Sequence, residues 1–180
     1  GMRAKVYIVD KSEKRLEELK DIFGDKIILQ LSDKTDLKKL VSECDLLIGG
    51  VLIPGAEAPK LISKEMIKTM KRGSVIVDVA IDQGGCVETA KVTTHSDPIY
   101  TVDGVVHYCV GNMPGAVART STQALTNATM PWISKLAAST ADKLAKQDPH
   151  FANAINTNQG TLTNEPVAIA HDLPFELLYV

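Results

Sequence analysis

Hydrophobic and polar positions fall into two regimes along this chain. Over the first hundred or so residues, short apolar runs alternate with amphipathic stretches. Residues 4–9 form a largely β-branched run that ends in Asp10. Ser12 then stands where a helix N-cap belongs, ahead of a stretch that puts Leu16, Leu19, Ile22 and Phe23 on one face, and Gly24 supplies the stop. Residues 26–31 predict a second strand, residues 36–44 a second helix and residues 45–50 a third strand. After a Pro54-Gly55 loop, Ser63 caps a helix running to Met70, and Gly73 opens a strand over residues 74–80. Residues 105–110 predict a fifth strand. These strands are apolar throughout instead of alternating, which is the pattern of a parallel sheet covered on both faces. Strands alternating with helices therefore predict an α/β fold with right-handed crossovers.

The pattern changes after Pro114. Residues 117–144 carry no strand signal and many Ala and Thr, and they predict helix with a kink at Pro131. The tail holds Pro149, Pro166 and Pro174, a turn-prone stretch over residues 156–160, and a short helix over residues 164–170. No internal repeat or low-complexity segment interrupts the chain.

Composition narrows the function classes. The hydrophobic share of 44% is that of a globular domain with a sizeable core. Charge is nearly balanced, with 20 Lys and Arg against 22 Asp and Glu, so there is no electrostatic case for nucleic acid or an anionic membrane as partner. No apolar stretch approaches the ~20 residues needed to span a bilayer. The N-terminus runs straight into a strand pattern and has no apolar h-region of a secretory signal. Cys44, Cys86 and Cys109 are odd in number and without C-x-x-C spacing, which argues against a disulfide framework or zinc site and for a reducing cytoplasm.

Candidate chemistry sits at strand ends. Asp10 closes the first strand, where a dinucleotide fold places an acid that accepts bonds from ribose hydroxyls; the same residue type also serves as an ordinary turn former. Arg15 could lie over an adenine ring or be a solvated helix residue. Gly49 and Gly50, followed by Val51 and Leu52, stand at the carboxyl end of a strand, where open α/β sheets bind ligands; an ordinary strand-to-loop turn reads the same way. Asp82, within Ile81-Asp82-Gln83-Gly84-Gly85-Cys86, is a carboxylate placed to orient substrate or move a proton, or else part of a turn. Asn112-Met113-Pro114 closes the last strand and reads as a nicotinamide-facing turn or as a helix start with Pro near its first position. His107, inside an apolar strand, reads better as a satisfied core histidine than as a catalyst. His95, His150 and His171 have no partners at metal-ligand spacing, and no metal site is expected.

Taken jointly, these segments are similar to the alanine dehydrogenase family along essentially the whole chain. The likeness rests on C-D-L-L-I-G-G over residues 44–50 with the following residues 51–55, and on V-I-V-D-V-A-I-D-Q-G-G-C-V-E-T over residues 75–89. It continues through Thr93-Thr94-His95, residues 102–108, N-M-P-G-A-V over residues 112–117 and T-S-T-Q-A-L-T-N-A-T over residues 120–129. The resemblance implies an incomplete Rossmann-type doubly wound parallel sheet, α/β in class, followed by C-terminal helices. Residues 1–116 would be a partial NAD-binding domain, and residues 117–180 a helical segment that packs with an N-terminal substrate domain. It implies NAD-dependent, reversible oxidative deamination of L-alanine to pyruvate and ammonium. It places the ribose-binding acid at Asp10, with Arg15 near the adenine and Ser32 at the adenosine end. Val51 and Leu52 lie along the cofactor, Ile81 and the acid/base Asp82 at the reaction centre, and Asn112 and Met113 on the nicotinamide's other flank. An acid at Asp10 would repel a 2′-phosphate, which favours NAD over NADP.

The family's G-x-G-x-x-G loop, first strand and substrate-binding N-terminal domain would all precede Gly1. A chain of this extent is expected to be inactive alone and to bind NAD weakly. Its segments 4–9 and 45–50, neighbours of the first strand in the order 3-2-1-4-5-6, are expected either to pair directly or to take a strand from another copy. A homo-oligomer is the expectation. The nucleotide-binding subunit of a proton-translocating transhydrogenase is the alternative enzyme, and a non-catalytic remnant or interaction module the alternative of another class.

Overall fold

A computed structural model describes residues 2–32 and 34–178 of the chain; Gly1, Asp33, Tyr179 and Val180 fall outside them. Strand β1 (Tyr7–Asp10) leads into helix α1 (Glu13–Phe23), whose N-terminus is closed by the Ser12 hydroxyl accepting the Arg15 N–H at 3.2 Å. Gly24 ends that helix, and strand β2 (Ile28–Leu31) lies parallel to β1 with Asp10 opposite Leu31. Helix α2 (Lys34–Glu43) returns the chain to β3 (Leu46–Gly49). Ser63 then caps α3 (Lys64–Lys68) by accepting the Met66 N–H, ahead of β4 (Val75–Asp78).

The second sheet has the order β3-β4-β6-β5, with β5 (Ile99–Val102) and β6 (Val105–Tyr108). Strands β3, β4 and β6 run parallel, as the apolar runs predict, while β5 is antiparallel to β6. The hairpin was not among the expected elements. Its two-residue turn is Asp103-Gly104, with φ of 52° and 82°, the backbone of a turn whose twist matches that of the strands it joins.

The core lies between this sheet and the helices α2 and α3. It consists of Val41, Ile62, Ile67, Met70, Ile76, Val87 and Val105, all buried. Coverage on both faces holds for the middle of the sheet only. Leu46 and Ile48 on β3 remain 54% and 65% exposed, so among the described residues no layer covers that face of the strand. Strands β1 and β3 do not pair: β1 and β2 form a separate two-stranded sheet. Direct closure of these two segments, one of the expected remedies, is therefore not what the chain adopts. The parallel-dominated α/β architecture of a Rossmann-type fold is present nonetheless.

Two further expectations are corrected. The strand predicted over residues 74–80 stops at Asp78, because the Asp78 carboxylate accepts the Ala80 N–H at 3.1 Å and turns Val79–Gln83 into a 3-10 helix. The helix predicted over residues 117–144 is two helices, α4 (Ala118–Ala137) and α5 (Ala141–Gln147). Thr140 starts the second by accepting the Lys143 N–H, and α4 runs on through Pro131. Asp148 then caps the short α6 (Pro149–Asn153). The turn-prone stretch becomes a small hairpin of β7 (Thr157–Asn158) and β8 (Thr161–Leu162), and α7 (Glu165–His171) starts at Asn164 as predicted. Among the described residues, no helix is long and apolar enough to cross a membrane.

Candidate functional site

A cleft of about 250 Å³ opens at the carboxyl ends of β3 and β4, lined by Gly50, Val51, Leu52, Val79, Ala80, Asp82 and Gln83. That is the end of an open α/β sheet at which ligands bind. One wall is the loop after β3; the other is the 3-10 turn after β4. The third strand end enters through Asn112, which follows β6 and takes the left-handed backbone with φ 53°. Its backbone N–H donates to both oxygens of Asp82, at 3.1 and 3.3 Å. These two residues are 30 apart in sequence and become neighbours only because β4 and β6 are adjacent and parallel. The exposed Asp82 carboxylate is thus aimed by a backbone donor, not left to rotate freely.

His95 supports the same corner. Its Nε2 lies 3.1 Å from the Asn112 carbonyl and so donates to it. His95 has no partner at metal-ligand spacing in the sequence, and nothing local announces its contact with a turn 17 residues away. Met113 follows at half-buried depth in the turn Met113–Val117. Ile81 is buried and is not among the residues lining the cleft, and its carbonyl accepts the Gly84 N–H at 3.0 Å. Gln83 brings something unforeseen: its Oε1 is buried in the cleft wall without a hydrogen-bond partner among the described residues.

A second cluster forms at the ends of β1 and β2. The Ser32 N–H donates to the Asp10 carbonyl at 2.9 Å, which sets these two predicted residues side by side. The Asp10 carboxylate accepts the Ser12 N–H at 2.8 Å, so it holds the start of α1 as well as facing outward. Arg15 is paired with Glu18 on the helix surface at 2.8 Å, the arrangement of a solvated helix residue. Asp10 and Ser32 therefore stand together at the small sheet with Arg15 turned to Glu18 on the adjoining helix, while Val51, Leu52, Asp82 and Asn112 gather at the larger sheet beside the buried Ile81 and the half-buried Met113.

Beneath the cleft lies a buried polar layer. His107 is a satisfied core residue: Nδ1 donates to the Val105 carbonyl at 3.0 Å, and Nε2 accepts from Thr89 Oγ1 at 2.8 Å. Tyr100 stacks on its ring at 5.0 Å. Burial holds the His107 pKa below its usual value, with the Val105 carbonyl and the Asp78 charge pulling the other way. Cys86 is pushed up to about 12, chiefly by burial and then by the nearby Asp78 charge, so it stays a thiol. All three cysteines are free.

Residues 1–165 match the family model described as alanine dehydrogenase/PNT, C-terminal domain. The chain belongs to that family. Among curated proteins of this kind, an alanine dehydrogenase of Halomonas elongata is 55% identical over 175 residues, covering 97% of this chain and 47% of the relative. One from Methanococcus maripaludis is 52% identical over 176 residues, with the same coverage. Alanine dehydrogenase 2 of Staphylococcus aureus is 48% identical over 177 residues. The chain therefore spans about half the length of the curated relatives it matches. A solved L-alanine dehydrogenase superposes with a TM-score of 0.80 at 45% identity, over 94% of this chain and 46% of that one. A transhydrogenase from Sinorhizobium meliloti superposes with a TM-score of 0.67 at 22% identity, a likeness of fold alone. Between the two enzymes expected from the sequence, these identities favour alanine dehydrogenase.

Proposed function

We propose that this chain carries the nucleotide-binding half of the reaction centre of an NAD-dependent L-alanine dehydrogenase, with Asp82 as its catalytic acid/base. The observation that carries the proposal is the Asp82 carboxylate, oriented by the Asn112 N–H in the wall of a cleft built from the ends of β3 and β4. The cleft suits a nicotinamide. Gln83 Oε1 lacks a donor there, a carboxamide N–H would supply one, and the apolar Val51 and Leu52 side chains offer a wall for a flat ring. At the other sheet, Asp10 and Ser32 would hold the adenosine ribose. The acid favours two free hydroxyls over a 2′-phosphate, hence NAD over NADP.

NAD, when bound, supplies the hydride acceptor for the substrate Cα–H. Asp82 does the proton work: it takes the proton that the amine or the attacking water must lose, and returns it in the amination direction. Asn112 keeps that carboxylate turned toward the cleft, and Met113 closes its flank. Substrate capture is assigned to residues that the relatives carry outside the matched half. Homo-oligomerisation belongs to the same proposal. Helix α4 buries none of its residues within the chain and exposes Leu125, Met130, Ile133 and Leu136.

The test is a chimera in which this chain replaces the matching half of the Halomonas elongata relative. Alanine-dependent reduction of NAD is expected, and Asp82→Asn should lower kcat by on the order of 100-fold or more. Turnover within a few-fold of the parent in the Asp82→Asn chimera would remove Asp82 from the chemistry.

A further inference from the structure

The turn that carries Asp82 is gripped from two sides by residues that the sequence does not single out. From inside, the Asp78 carboxylate is 0% exposed and meets three donors: Oδ1 accepts the Ala80 N–H at 3.1 Å and the Cys86 Sγ–H at 3.6 Å, and Oδ2 accepts the Val87 N–H at 3.1 Å. It ties the start of the turn to its end, across the six residues, Asp82 among them, that lie between Ala80 and Val87. From outside, the Lys60 ammonium donates to the carbonyls of Gly84 and Gly85, the latter at 2.8 Å. Backbone bonds lace the same two segments: Ala58 N–H to the Gln83 carbonyl, Leu61 N–H to the Cys86 carbonyl and Glu88 N–H to the Ile62 carbonyl.

The packing leaves no slack. A Cβ on Gly85, whose φ is 75°, would stand 2.7 Å from Asp78 Oδ2, and a Cβ on Gly49 would stand 2.3 Å from Cys86 Sγ. The second contact joins the two walls of the cleft, because Gly49 begins the loop that continues into Val51 and Leu52. Burying a carboxylate without a cation is costly, and no ion pair among the described residues includes Asp78. Packing alone would be served better by an apolar side chain of similar size. What an apolar residue cannot do is accept two backbone N–H groups at once and fix a turn.

We infer that Asp78 and Lys60 are positioning residues: acting from opposite sides of the 79–87 turn, they set where the Asp82 carboxylate stands. The inference deepens the reading of Asp82 as the acid/base, but its test reads geometry and not turnover, so either can fail without the other. The Asn112 amide, bonded to Asp82, is the reporter. In 15N-labelled chain, the Asn112 cross-peak is first located and its shift recorded in Asp82→Asn, which weakens the acceptor. Asp78→Asn sets an NH2 against one of the two backbone donors. It should speed exchange of the Ala80 or Val87 amide by on the order of tenfold or more and move the Asn112 peak toward its Asp82→Asn position. Lys60→Met, an exposed change that spares the core, should move the Asn112 peak in the same direction by less. The Ile76 and His107 amides should stay protected in both, showing an intact sheet.

Charge removal alone would push the Asn112 peak in opposite directions in the two variants, since one loses a negative and the other a positive group. Opposite shifts, or no shift in either variant, would overturn the inference. If Asp78→Asn does not fold, Lys60→Met decides: a shift toward the Asp82→Asn position supports the positioning role, and no shift, or a shift the other way, refutes it.

Discussion

Strands β1–β2 with α1, and the sheet β3-β4-β6-β5, are written in the same apolar alphabet yet end in different physical states. In the first, no residue of either strand or of the helix is buried. In the second, Ile76, Asp78, Val105 and His107 have no exposed surface at all. Both carry candidate ligand groups at their carboxyl ends, Asp10 and Ser32 on one, Asp82 and Asn112 on the other. The pair at β1–β2 hangs on caps and one parallel ladder. The pair at the larger sheet is aimed by strands packed between layers. A site borrows its precision from the rigidity of the element beneath it, so the reaction-centre end is the better defined of the two.

The sharpest way to break this comparison is to cut equal side chains from the two regions. Ile76→Ala empties a fully buried position and should cost about 2–5 kcal/mol in urea unfolding. Ile8→Ala, on a half-buried strand, should cost less than half of that, since less apolar surface and little cavity are involved. Equal losses would mean that β1–β2 is as well packed as the larger sheet.

A smaller effect sharpens the picture within the first region. Ser12→Ala removes the acceptor of the Arg15 N–H and should weaken α1 by about 1 kcal/mol. If that unit opens on its own, the loss appears as faster amide exchange confined to α1, β1 and β2. An equal drop in the melting of the whole molecule would show instead that the two regions unfold together.

The smallest effect is a tilt with pH. Burial depresses the His107 pKa in the folded chain below its ordinary 6.5. The folded state therefore binds fewer protons than the unfolded state between the two values. The contribution is fully present above about 6.5 and is lost as pH falls from there through the folded pKa. His107→Gln should be less stable at neutral pH, and its stability should fall less steeply over that acid window. Parallel pH profiles for parent and variant would deny the histidine this role.

How far each of these features could be read beforehand depends on how far apart its partners lie. The caps at Ser12 and Ser63 were legible because donor and acceptor are three residues apart. The Asp103-Gly104 turn carries an equally local signal, an Asp-Gly pair flanked by β-formers, set within a pattern otherwise of parallel strands. Asp82, Asn112, Val51 and Leu52 could be named as candidates from glycines and strand ends. Asp78 could not: an acid inside V-I-V-D-V-A has no mark that separates a buried clamp from a strand-end turn former. Lys60 was invisible too, since a lysine beside a proline is ordinary surface, and its bonds to Gly84 and Gly85 span 24 and 25 residues.

The amino-acid sequence by itself determined the local pieces: which runs extend, where helices start, where glycine must break them. Those choices depend on sterics and hydrogen bonds within a few residues, and each segment carries them wherever it sits. Only the tertiary structure decided that β1 and β3 stay apart, that β3 leaves Leu46 and Ile48 uncovered, and that Asn112 meets Asp82. Each of these outcomes requires closing a loop of tens of residues, and it is decided by which faces find a partner to bury against rather than by any preference of the residues that meet.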